Sequence, residues 1–332
     1  MTGVQTCALP IYRRSLLLAA AGLLVAFSTA ASAQSDYPNR PIRLIIPFPA
    51  GGSNDIVGRA IAQQMGEKLG KQVVVDNRTG AGGVIGTELA SKEKPDGYTI
   101  LVISIAHSVN PWLYKLPYDP HKAFAPISLV VSSPNALAVH PSLPANSVTE
   151  FIALAKKEPG QIQYASGGIG GSLHLGFELF KLVAGIDVLH VPFRGAGPAV
   201  IDTVGGHTKA IIATVTSVSP HVKNGKLRAL AVSGAKRSAT MPDVPTFVEA
   251  GVSGYEAGNW IGLVAPAGTP EAIVAKLNRE ISAIQDMPEV QKRFAEEGAD
   301  VIKLTPAQFG TYMDDEMTKW GRVIKEGNIK AE

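Results

Sequence analysis

The sequence predicts an α/β fold in which parallel strands are covered by helices. Short apolar segments rich in β-branched residues alternate with helical patterns along the chain, which is the arrangement that parallel sheets produce. Apolar residues make up 45% and charged residues 18% of the chain, a balance typical of a globular protein rather than a disordered one. At 332 residues, the chain is long enough for two domains of about 100–200 residues each.

Each predicted strand is a short apolar, β-branched run. In chain order the strands are residues 42–48, 72–76, 98–104, 127–139, 162–165, 188–193, 210–215, 227–232 and 260–265. Helical periodicity predicts helices at residues 54–69, 84–94, 148–157, 173–183, 198–204, 270–285, 288–297 and 306–326. Two helix starts are well marked: Ser147 with Glu150 forms a capping box, and Thr269-Pro270-Glu271 is a conventional helix start.

Two features divide this pattern into two lobes. The apolar stretch of residues 127–140 is too long for one ordinary strand, and a crossing between two sheets explains its length. A second apolar strand, in "LRALAVSG", supplies the return crossing. We therefore predict a first lobe of residues 34–135 plus 231–332, a second lobe of residues 136–230, and a ligand cleft that closes by a hinge between them.

The first 33 residues have the composition of a secretory signal peptide. Arg13 and Arg14 precede an apolar run at residues 16–27, and "STAASAQ" follows with small residues at Ala31 and Ala33. This order of basic, apolar and small residues predicts cleavage after Ala33 and a location in the periplasm. A membrane anchor is the alternative, but the apolar run of 12 residues is shorter than the ~20 residues that span a bilayer.

Composition argues against several classes of function. The one cysteine, Cys7, lies in the predicted leader, so the mature chain would form no disulfide, thiol nucleophile or thiolate metal site. The formal net charge is only +3, and removing Arg13 and Arg14 with the leader lowers it further, which gives no electrostatic case for nucleic acid. The seven histidines show no H-E-x-x-H or related spacing. We therefore expect no metal, no cofactor and no nucleic-acid partner.

Three glycine-containing turns share one pattern. Turn 1 is "PFPAGGSNDI", turn 2 is "YASGGIGGSLHL" and turn 3 is "VPFRGAGPAV"; each follows an apolar strand and leads into a helix. A helix start carries unpaired N–H groups and a partial positive charge, and glycine lets a ligand approach the backbone, so such turns suit anions. The alternative is that they only make tight turns and cap helices. Three of them, at spacings that place them in both lobes, favour a binding site.

A small carboxylate is the simplest anion for these turns. The chain has no G-x-x-x-x-G-K-[ST] and no complete G-x-G-x-x-G after a strand, so nucleotide binding is unsupported. Phe48 either closes over an apolar part of the ligand or packs at the strand end. Asp55 either caps its helix or binds a water or a ligand amine or hydroxyl. Arg194, in turn 3, either pairs with a second carboxylate or lies on the surface.

The remaining polar candidates do not predict catalysis. Ser104 and His107, at the end of "YTILVISIAH", either line the same cleft or simply end a strand. Ser172 and His174 are two residues apart, on opposite faces of a helix, and the nucleophile elbow G-x-S-x-G is absent. We expect no catalytic residue. A serine hydrolase that uses Ser172 or another cleft serine is the alternative.

These turns and the stretches around them resemble the extracytoplasmic solute-binding receptors of tripartite tricarboxylate transporters, the Bug or TctC-like family. Matching stretches include "YPNRPIRLIIPFPAGGSNDIVGRAIAQQM", "VVVDNRTGAGGVIGTELASKEKPDGYTILV" and "NWIGLVAPAGTPEAIVAKLN", and the resemblance covers nearly all of the chain after the leader. It implies a periplasmic binding protein-like fold of type II: two α/β lobes with parallel-rich sheets and a ligand cleft between them.

The same resemblance implies a function and a site. It implies a binding protein, not an enzyme, that captures a small organic acid and delivers it to the large and small subunits of a membrane permease (TctA- and TctB-like). A ligand-loaded sensory partner of a histidine kinase's outer domain is the alternative. Carried onto this chain, the residues that grip the carboxylate are Phe48, Ala50, Gly51, Gly52, Asn54 and Asp55 in turn 1, and Ser166, Gly168, Gly170, Ser172 and His174 in turn 2.

Overall fold

The computed structural model describes residues 37–234 and 236–330, so the predicted leader lies outside the described residues. The strands are β1 (Ile42–Ile46), β2 (Val73–Asn77), β3 (Thr99–Ser104), β4 (Phe124–Val139), β5 (Gln163–Ser166), β6 (Leu189–Pro192), β7 (Ala210–Thr214), β8 (Arg228–Val232), β9 (Gly258–Pro266) and β10 (Asp300–Val301). The helices are α1 (Ser53–Leu69), α2 (Val84–Ser91), α3 (Ile105–Leu113), α4 (Val148–Lys157), α5 (Ser172–Ala184), α6 (Ala196–Val204), α7 (Val215–Lys223), α8 (Glu271–Gln285), α9 (Pro288–Glu296) and α10 (Pro306–Glu326), with one 3-10 turn at Ala81–Gly83. Among these described residues, no helix has both the length and the apolar character needed to cross a membrane.

The strands form a sheet with parallel outer groups and an antiparallel centre. Their order is β2-β1-β3-β9-β4-β7-β5-β6, and β8 and β10 also pair with β4. β1 is parallel to β2 and β3, and β5 is parallel to β6 and β7. β9 and β4 are antiparallel to their neighbours in this order. The outer groups match the predicted parallel strands, whereas the antiparallel centre was not predicted.

Strand β4 joins the two parallel groups. It pairs with β9 along residues 124–134 and with β7 along residues 135–139. The apolar stretch is long because one strand serves both groups. β8 pairs with residues 136–139, so the chain returns to the first group through β9. We call β2, β1, β3 and β9 the first half of the sheet, and β7, β5, β6 and β8 the second half.

A buried carboxylate fixes the last helix, α10. Glu316 is 5% exposed and accepts the Nε1–H groups of Trp260 on β9 and Trp320 on α10, each at 2.9 Å. Lys319 pairs with the same carboxylate. Burying a charged group is costly unless it is hydrogen-bonded and paired, and these three donors meet that condition. α10 contacts β4, α3 and α5, so it packs against both halves of the sheet.

The predicted helix caps are only partly as expected. Ser147 accepts the N–H of Glu150 at 3.1 Å, as the sequence predicts, but the Glu150 carboxylate accepts the N–H of Asn146 instead of that of Ser147. A reciprocal capping box that the sequence analysis missed starts α10, where Thr305 and Gln308 bond each other's backbone N–H.

Two helices, α3 and α7, lie outside every predicted helix. Each follows its strand, β3 or β7, with no intervening turn residue, and each contains a proline, Pro111 or Pro220. Without a Gly or Pro between strand and helix, the apolar pattern gives no signal of where the strand ends. A proline inside the helix weakens the helical pattern as well.

Candidate functional site

Turns 1 and 2 lie at the carboxyl ends of parallel strands, one in each half of the sheet. Turn 1 joins β1 to α1, and turn 2 joins β5 to α5. Turn 3 joins β6 to α6 next to turn 2, because β5 and β6 are parallel neighbours. α3 starts at the end of β3, and β3 is a parallel neighbour of β1. Open α/β sheets bind ligands at such ends.

Asp55 organises turn 1 from the first turn of α1. Its buried carboxylate accepts the N–H of Gly51 at 2.9 Å, Nε–H of Arg59 at 2.9 Å and Nδ2–H of Asn77, on β2, at 2.9 Å. Burial alone would raise the pKa of Asp55, but the hydrogen bonds from Arg59, Gly51 and Asn77 outweigh it, so the pKa lies below its ordinary value. Gly51 has φ of +81°, a conformation that disfavours a side chain. Asp55 therefore holds the turn with a charged group.

These bonds decide which donors of turn 1 are free. The N–H of Gly51 is used by Asp55, so Gly51 does not offer it to a ligand. Ser53 and Asn54 form the first turn of α1, and their N–H groups have no partner among residues 37–234 and 236–330. The side-chain Oδ1 of Asn54 is also buried without a partner in that part of the chain. These two free donors lie one and two residues beyond the glycine pair.

Phe48 and Ala50 occupy different positions in turn 1. Phe48 is half-buried, and its carbonyl accepts Nδ2–H of Asn77 at 3.1 Å. A Cβ placed on Gly83 would lie 3.3 Å from the Phe48 ring, so the ring packs on the 3-10 turn. Ala50 and Gly52 are exposed. The structure therefore gives the Phe48 ring a packing role.

Turn 2 is held by neutral groups. The N–H of Gly170 donates to Nδ1 of His174 at 3.0 Å, and the N–H of Gly168 donates to Oγ of Ser166 at 3.2 Å. Ser166 Oγ also lies 2.6 Å from Nε2 of His190, on β6. Burial lowers the pKa of both histidines from 6.5 to about 4, so both imidazoles are neutral at neutral pH.

The helix that follows turn 2 also begins with unused donors. α5 has Gly171 at its N-cap, with no side-chain cap. The N–H groups of Ser172 and Leu173, in its first turn, have no partner within the described part of the chain. Ser172 is half-buried. Turn 2 thus resembles turn 1, because both present free backbone donors at a helix start; in turn 2 the N–H of His174 is a third donor without a partner among the described residues.

Turn 3 packs directly on turn 2. The N–H of Gly195 donates to the carbonyl of Gly167 at 3.1 Å. A Cβ on Gly167 would lie 2.9 Å from the nitrogen of Ala196, so only glycine fits there without backbone movement. Arg194, the residue before Gly195, is exposed and forms no hydrogen bond or ion pair with the described residues.

A series of contacts connects turn 1 to turn 2 through α3. Phe48 packs on Gly83 of the 3-10 turn, and Asn110 of α3 donates Nδ2–H to a carbonyl of the same 3-10 turn at 3.0 Å. A Cβ placed on Gly170 would lie 3.0 Å from Cδ1 of Leu113, at the end of α3. The residues of the two turns are therefore linked by packed neighbours.

Ser104 and His107 are buried in the first half of the sheet. Ser104 is the N-cap residue of α3 and makes no side-chain cap bond. His107 is 5% exposed, donates Nε2–H to the carbonyl of Pro120 at 3.1 Å, and packs edge-on against Phe124. Burial lowers the pKa of His107 to about 4, so the ring is neutral. These contacts give His107 a place in the core, with Nδ1 left without a partner among the described residues.

Ser172 and His174 do not bond each other. His174 Nδ1 accepts the N–H of Gly170, and in turn 2 it is Ser166 that lies beside a histidine, His190. Ser166 is fully buried, which keeps its hydroxyl away from a substrate. Within the described residues, no group of three or more His, Cys, Asp or Glu side chains could hold a metal ion.

A cavity of about 250 Å³ lies elsewhere, where β4 changes partners. Ser132, Pro134, Glu256, Glu316 and Lys319 are among the residues that line it. None of its lining residues belongs to the three turns. The cavity is therefore separate from the candidate site.

Two side chains on neighbouring strands support the turns and were not predicted from the sequence. Asn77 on β2 bonds Asp55, and His190 on β6 bonds Ser166. Both strands were predicted; His190 interrupts the apolar run in "VLHVPF", and Asn77 follows the apolar run in "VVVDN". These polar positions are the only signal in the sequence, and they become informative once the strand neighbours are known.

Comparisons with known proteins agree with the fold and identify the family. The family model described as "Tripartite tricarboxylate transporter family receptor" matches residues 57–329. Protein BugT of Bordetella pertussis is 39% identical over 319 residues, covering 95% of this chain and 98% of that protein.

Two solved structures with bound ligands are also similar. The R. palustris protein Rpa4515 with adipate is 33% identical, with a TM-score of 0.72, covering 89% of this chain and 99% of that chain. MatC (Rpa3494) from Rhodopseudomonas palustris with bound malate is 31% identical, with a TM-score of 0.68, covering 87% of this chain and 100% of that chain. The predicted fold class, an α/β periplasmic binding protein-like fold, is confirmed. The chain belongs to the family of tripartite tricarboxylate transporter receptors, the Bug or TctC solute-binding proteins.

Proposed function

We propose that this protein binds a small organic carboxylate between the helix starts of turn 1 and turn 2. The observation that carries the proposal is the set of unused donors in each first helical turn, which includes the N–H groups of Ser53 and Asn54 and of Ser172 and Leu173. A carboxylate accepts such donors, and a hydrogen bond to a charged group contributes about 1.5–3 kcal/mol. The partial positive charge of each helix start adds about 0.3–1 kcal/mol.

The ligand class is supported by the ligands of two similar proteins. Adipate and malate, named for the two R. palustris structures, are both dicarboxylates. In this chain Arg194 lies in turn 3, just after β6, and has no partner among the described residues. We assign Arg194 to a second carboxylate, since a guanidinium can bind both oxygens of one carboxylate.

Binding would involve movement of two lobes. We place the lobes at residues 34–135 plus 231–332 and at residues 136–230, with the hinge where β4 changes partners after Pro134. Turn 1 precedes that point and turn 2 follows it, so a change at the hinge would alter their separation. Scattering with and without a saturating acid tests this, because closure lowers the radius of gyration.

We infer a role in transport from the family. The loaded receptor would act in the periplasm after cleavage behind Ala33, and would deliver its acid to the large and small permease subunits. Pull-down of these subunits from membranes, with and without the acid, tests delivery. The same experiment with a sensor kinase's outer domain tests the sensory alternative.

A thermal-shift screen of residues 34–332 tests the binding proposal. A ligand that binds only the folded state at 100 times its Kd adds about 2.7 kcal/mol, or a rise in Tm of roughly 4–8 °C for a protein of this size. The panel should hold mono-, di- and tricarboxylates, aromatic acids and amino acids, with adipamide as the uncharged control for adipate. A panel without any stabiliser would contradict the proposal.

A serine hydrolase is the second candidate, because Ser166 Oγ lies 2.6 Å from Nε2 of His190. The full burial of Ser166 argues against it, since a nucleophile must reach the substrate. A fluorophosphonate probe distinguishes the two. Labelling that disappears in Ser166→Ala would support a hydrolase, and no labelling supports a binding protein.

A further inference from the structure

In turn 2 the N–H groups of Gly168 and Gly170 point towards side chains of the protein and not towards a ligand. Gly170 donates to Nδ1 of His174, and Gly168 donates to Oγ of Ser166. Each of these N–H groups already has an acceptor, so a bound carboxylate would have to displace a side chain to use it. The resemblance assigns Ser166 and His174 to the ligand, whereas the geometry gives both of them other partners.

We propose that Ser166, His174 and His190 are positioning residues that hold turn 2 in the conformation whose free donors bind the carboxylate. This inference rests on the proposed function. His174 acts through Gly170, and the Ser166–His190 pair acts through Gly168. The ligand then meets the free N–H groups of Ser172 and Leu173, just beyond the held segment.

The sheet brings the Ser166–His190 pair together. His190 on β6 is the register partner of Tyr164 on β5, and Ser166 lies two residues further along β5, on the same face as Tyr164. A diagonal neighbour of this kind is within reach of a ring. The separation of 2.6 Å between Ser166 Oγ and His190 Nε2 is the result.

Ring stacking fixes the orientation of both histidines. The His174 and His190 rings are stacked with centroids 4.0 Å apart and planes 13° from parallel. Tyr164 stacks on His190 at 4.9 Å and donates its hydroxyl to Glu178 at 2.6 Å. Glu178 also pairs with Lys181 at 2.9 Å. The ring nitrogens are therefore held at fixed positions beneath turn 2.

The two histidines use different nitrogens, and this difference makes a sharp test possible. His174 must accept with Nδ1, so the proton lies on Nε2. His190 faces Ser166 with Nε2. An asparagine amide can place a polar atom near the position of Nδ1, and a glutamine amide can place one near Nε2. The matching substitutions are thus His174→Asn and His190→Gln, and the mismatched ones are His174→Gln and His190→Asn.

The first measurement is the affinity of these four variants and of Ser166→Ala for adipate and malate, by titration calorimetry. We expect the matched variants to stay within about threefold of the wild type. The mismatched variants and Ser166→Ala should bind about tenfold more weakly or worse, since removing one partner of a buried hydrogen bond has an effect of that size. Equal losses of affinity in matched and mismatched variants would show that only the volume of the imidazole ring matters, and would overturn the inference.

The second measurement does not need a ligand. Amide hydrogen exchange at Gly168 and Gly170 should be slow in the wild type and in the matched variants. It should be at least about tenfold faster at Gly170 in His174→Gln and at Gly168 in Ser166→Ala. Unchanged exchange in these variants would overturn the positioning roles even if binding falls. Normal exchange effects together with no binding of any acid by the wild type would instead contradict the proposed function.

Discussion

Turns 1 and 2 use the same geometry with different chemistry. In each, a glycine with positive φ (Gly51 at +81°, Gly170 at +73°) donates its N–H to the side chain four residues later, in the first turn of the following helix. That side chain is a charged carboxylate, Asp55, in turn 1, and a neutral imidazole, His174, in turn 2. Both arrangements resemble the return bond of a capping box, displaced by one residue.

The difference between the turns shows how the proposed anion site could include a carboxylate of the protein. Asp55 would repel an anionic ligand, but Arg59 and Asn77 bond it from the side, and its charge fixes the turn. Turn 2 reaches the same backbone shape without charge. In both cases the N–H of the glycine with positive φ is bonded within the protein, and the first turn of the following helix has N–H groups without a partner among the described residues.

The largest expected effect comes from packing that is present in turn 2 and absent in turn 1. Gly167→Ala would place Cβ 2.9 Å from the nitrogen of Ala196 and 3.1 Å from the carbonyl carbon of Gly195. We expect the free energy of unfolding to fall by about 2–3 kcal/mol and binding to be lost, because turns 2 and 3 must separate. Urea denaturation and calorimetry measure the two effects.

The control for this change is Gly52→Ala in turn 1. Its Cβ would meet only the carbonyl of Pro49, at 3.5 Å, so folding should change by less than about 0.5 kcal/mol. Larger side chains at Gly52 should block the ligand while the protein still folds, and Gly52→Val tests that. If Gly167→Ala and Gly52→Ala have equal stability, the turns are not packed differently.

The next largest effect is expected when Asp55, the charged group that holds turn 1, is removed. Asp55→Ala leaves the N–H of Gly51 and Nδ2–H of Asn77 without their acceptor, which should lower the free energy of unfolding by about 1–3 kcal/mol and weaken acid binding. Arg59→Ala is the matched control, since Arg59 bonds the same carboxylate but no backbone group of the turn, so its removal should lower the free energy of unfolding by less than Asp55→Ala does. A stability loss in Arg59→Ala that equals that of Asp55→Ala would show that the ion pair, and not the turn, is what Asp55 supports.

Lowering the pH should remove the contributions of the two turns to stability over different pH ranges. The pKa values of His174 and His190 lie at about 4 in the folded protein, below the ordinary 6.5, because both rings are buried. The unfolded chain therefore binds more protons between pH 6.5 and 4, and the free energy of unfolding should fall over that range by about 1–2 kcal/mol per histidine, discounted for the partial exposure of His190. Asp55, with a lowered pKa, contributes stability that is lost only as the pH falls below about 3.8.

Urea denaturation at a series of pH values between 7 and 3.5 tests whether the histidine contribution to stability is lost before that of Asp55. The double variant His174→Asn, His190→Gln should flatten the decrease between pH 6.5 and 4.5, while Asp55→Asn should leave that part of the curve unchanged. His107 titrates in the same range and is the same in all three proteins. A wild-type decrease in stability that the double variant does not flatten would contradict the burial of His174 and His190 as neutral rings.

The smallest effect concerns Arg194 in turn 3. Arg194→Ala should weaken the binding of dicarboxylates by about threefold and leave monocarboxylates unchanged, since an exposed charge pair contributes up to about 1 kcal/mol. Titrations with adipate and with a monocarboxylate of similar length, at low and at physiological salt, measure the difference. Equal weakening for both acids would place Arg194 away from the second carboxylate.

Sequence periodicity was sufficient to predict most elements and the positions of all three turns. β1, β5 and α5 differ from prediction by one or two residues at their ends, because apolar runs bounded by Gly, Pro and polar residues are strong local signals. α3 and α7 were missed, since each follows its strand without a turn residue. Local signals fail where the chain changes from strand to helix without a break.

The use of individual donors could not be predicted from the sequence. Whether Gly51 and Gly170 offer their N–H groups depends on the rotamers of Asp55 and His174. The partners Asn77 and His190 lie 22 and 24 residues from the groups they bond, and only strand register brings them together. The sequence therefore indicates an anion site in these turns, and the structure distinguishes its supports from its free donors.

The most direct test is a crystal structure of residues 34–332 with a bound acid identified by the thermal-shift screen. We expect carboxylate oxygens within about 2.7–3.2 Å of the backbone nitrogens of Ser53 or Asn54 and of Ser172 or Leu173, directly or through one water, with Gly51 and Gly170 still bonded to Asp55 and His174. A bound acid that leaves these four nitrogens uncontacted, or that takes the N–H of Gly51 or Gly170 from its side chain, would contradict the account.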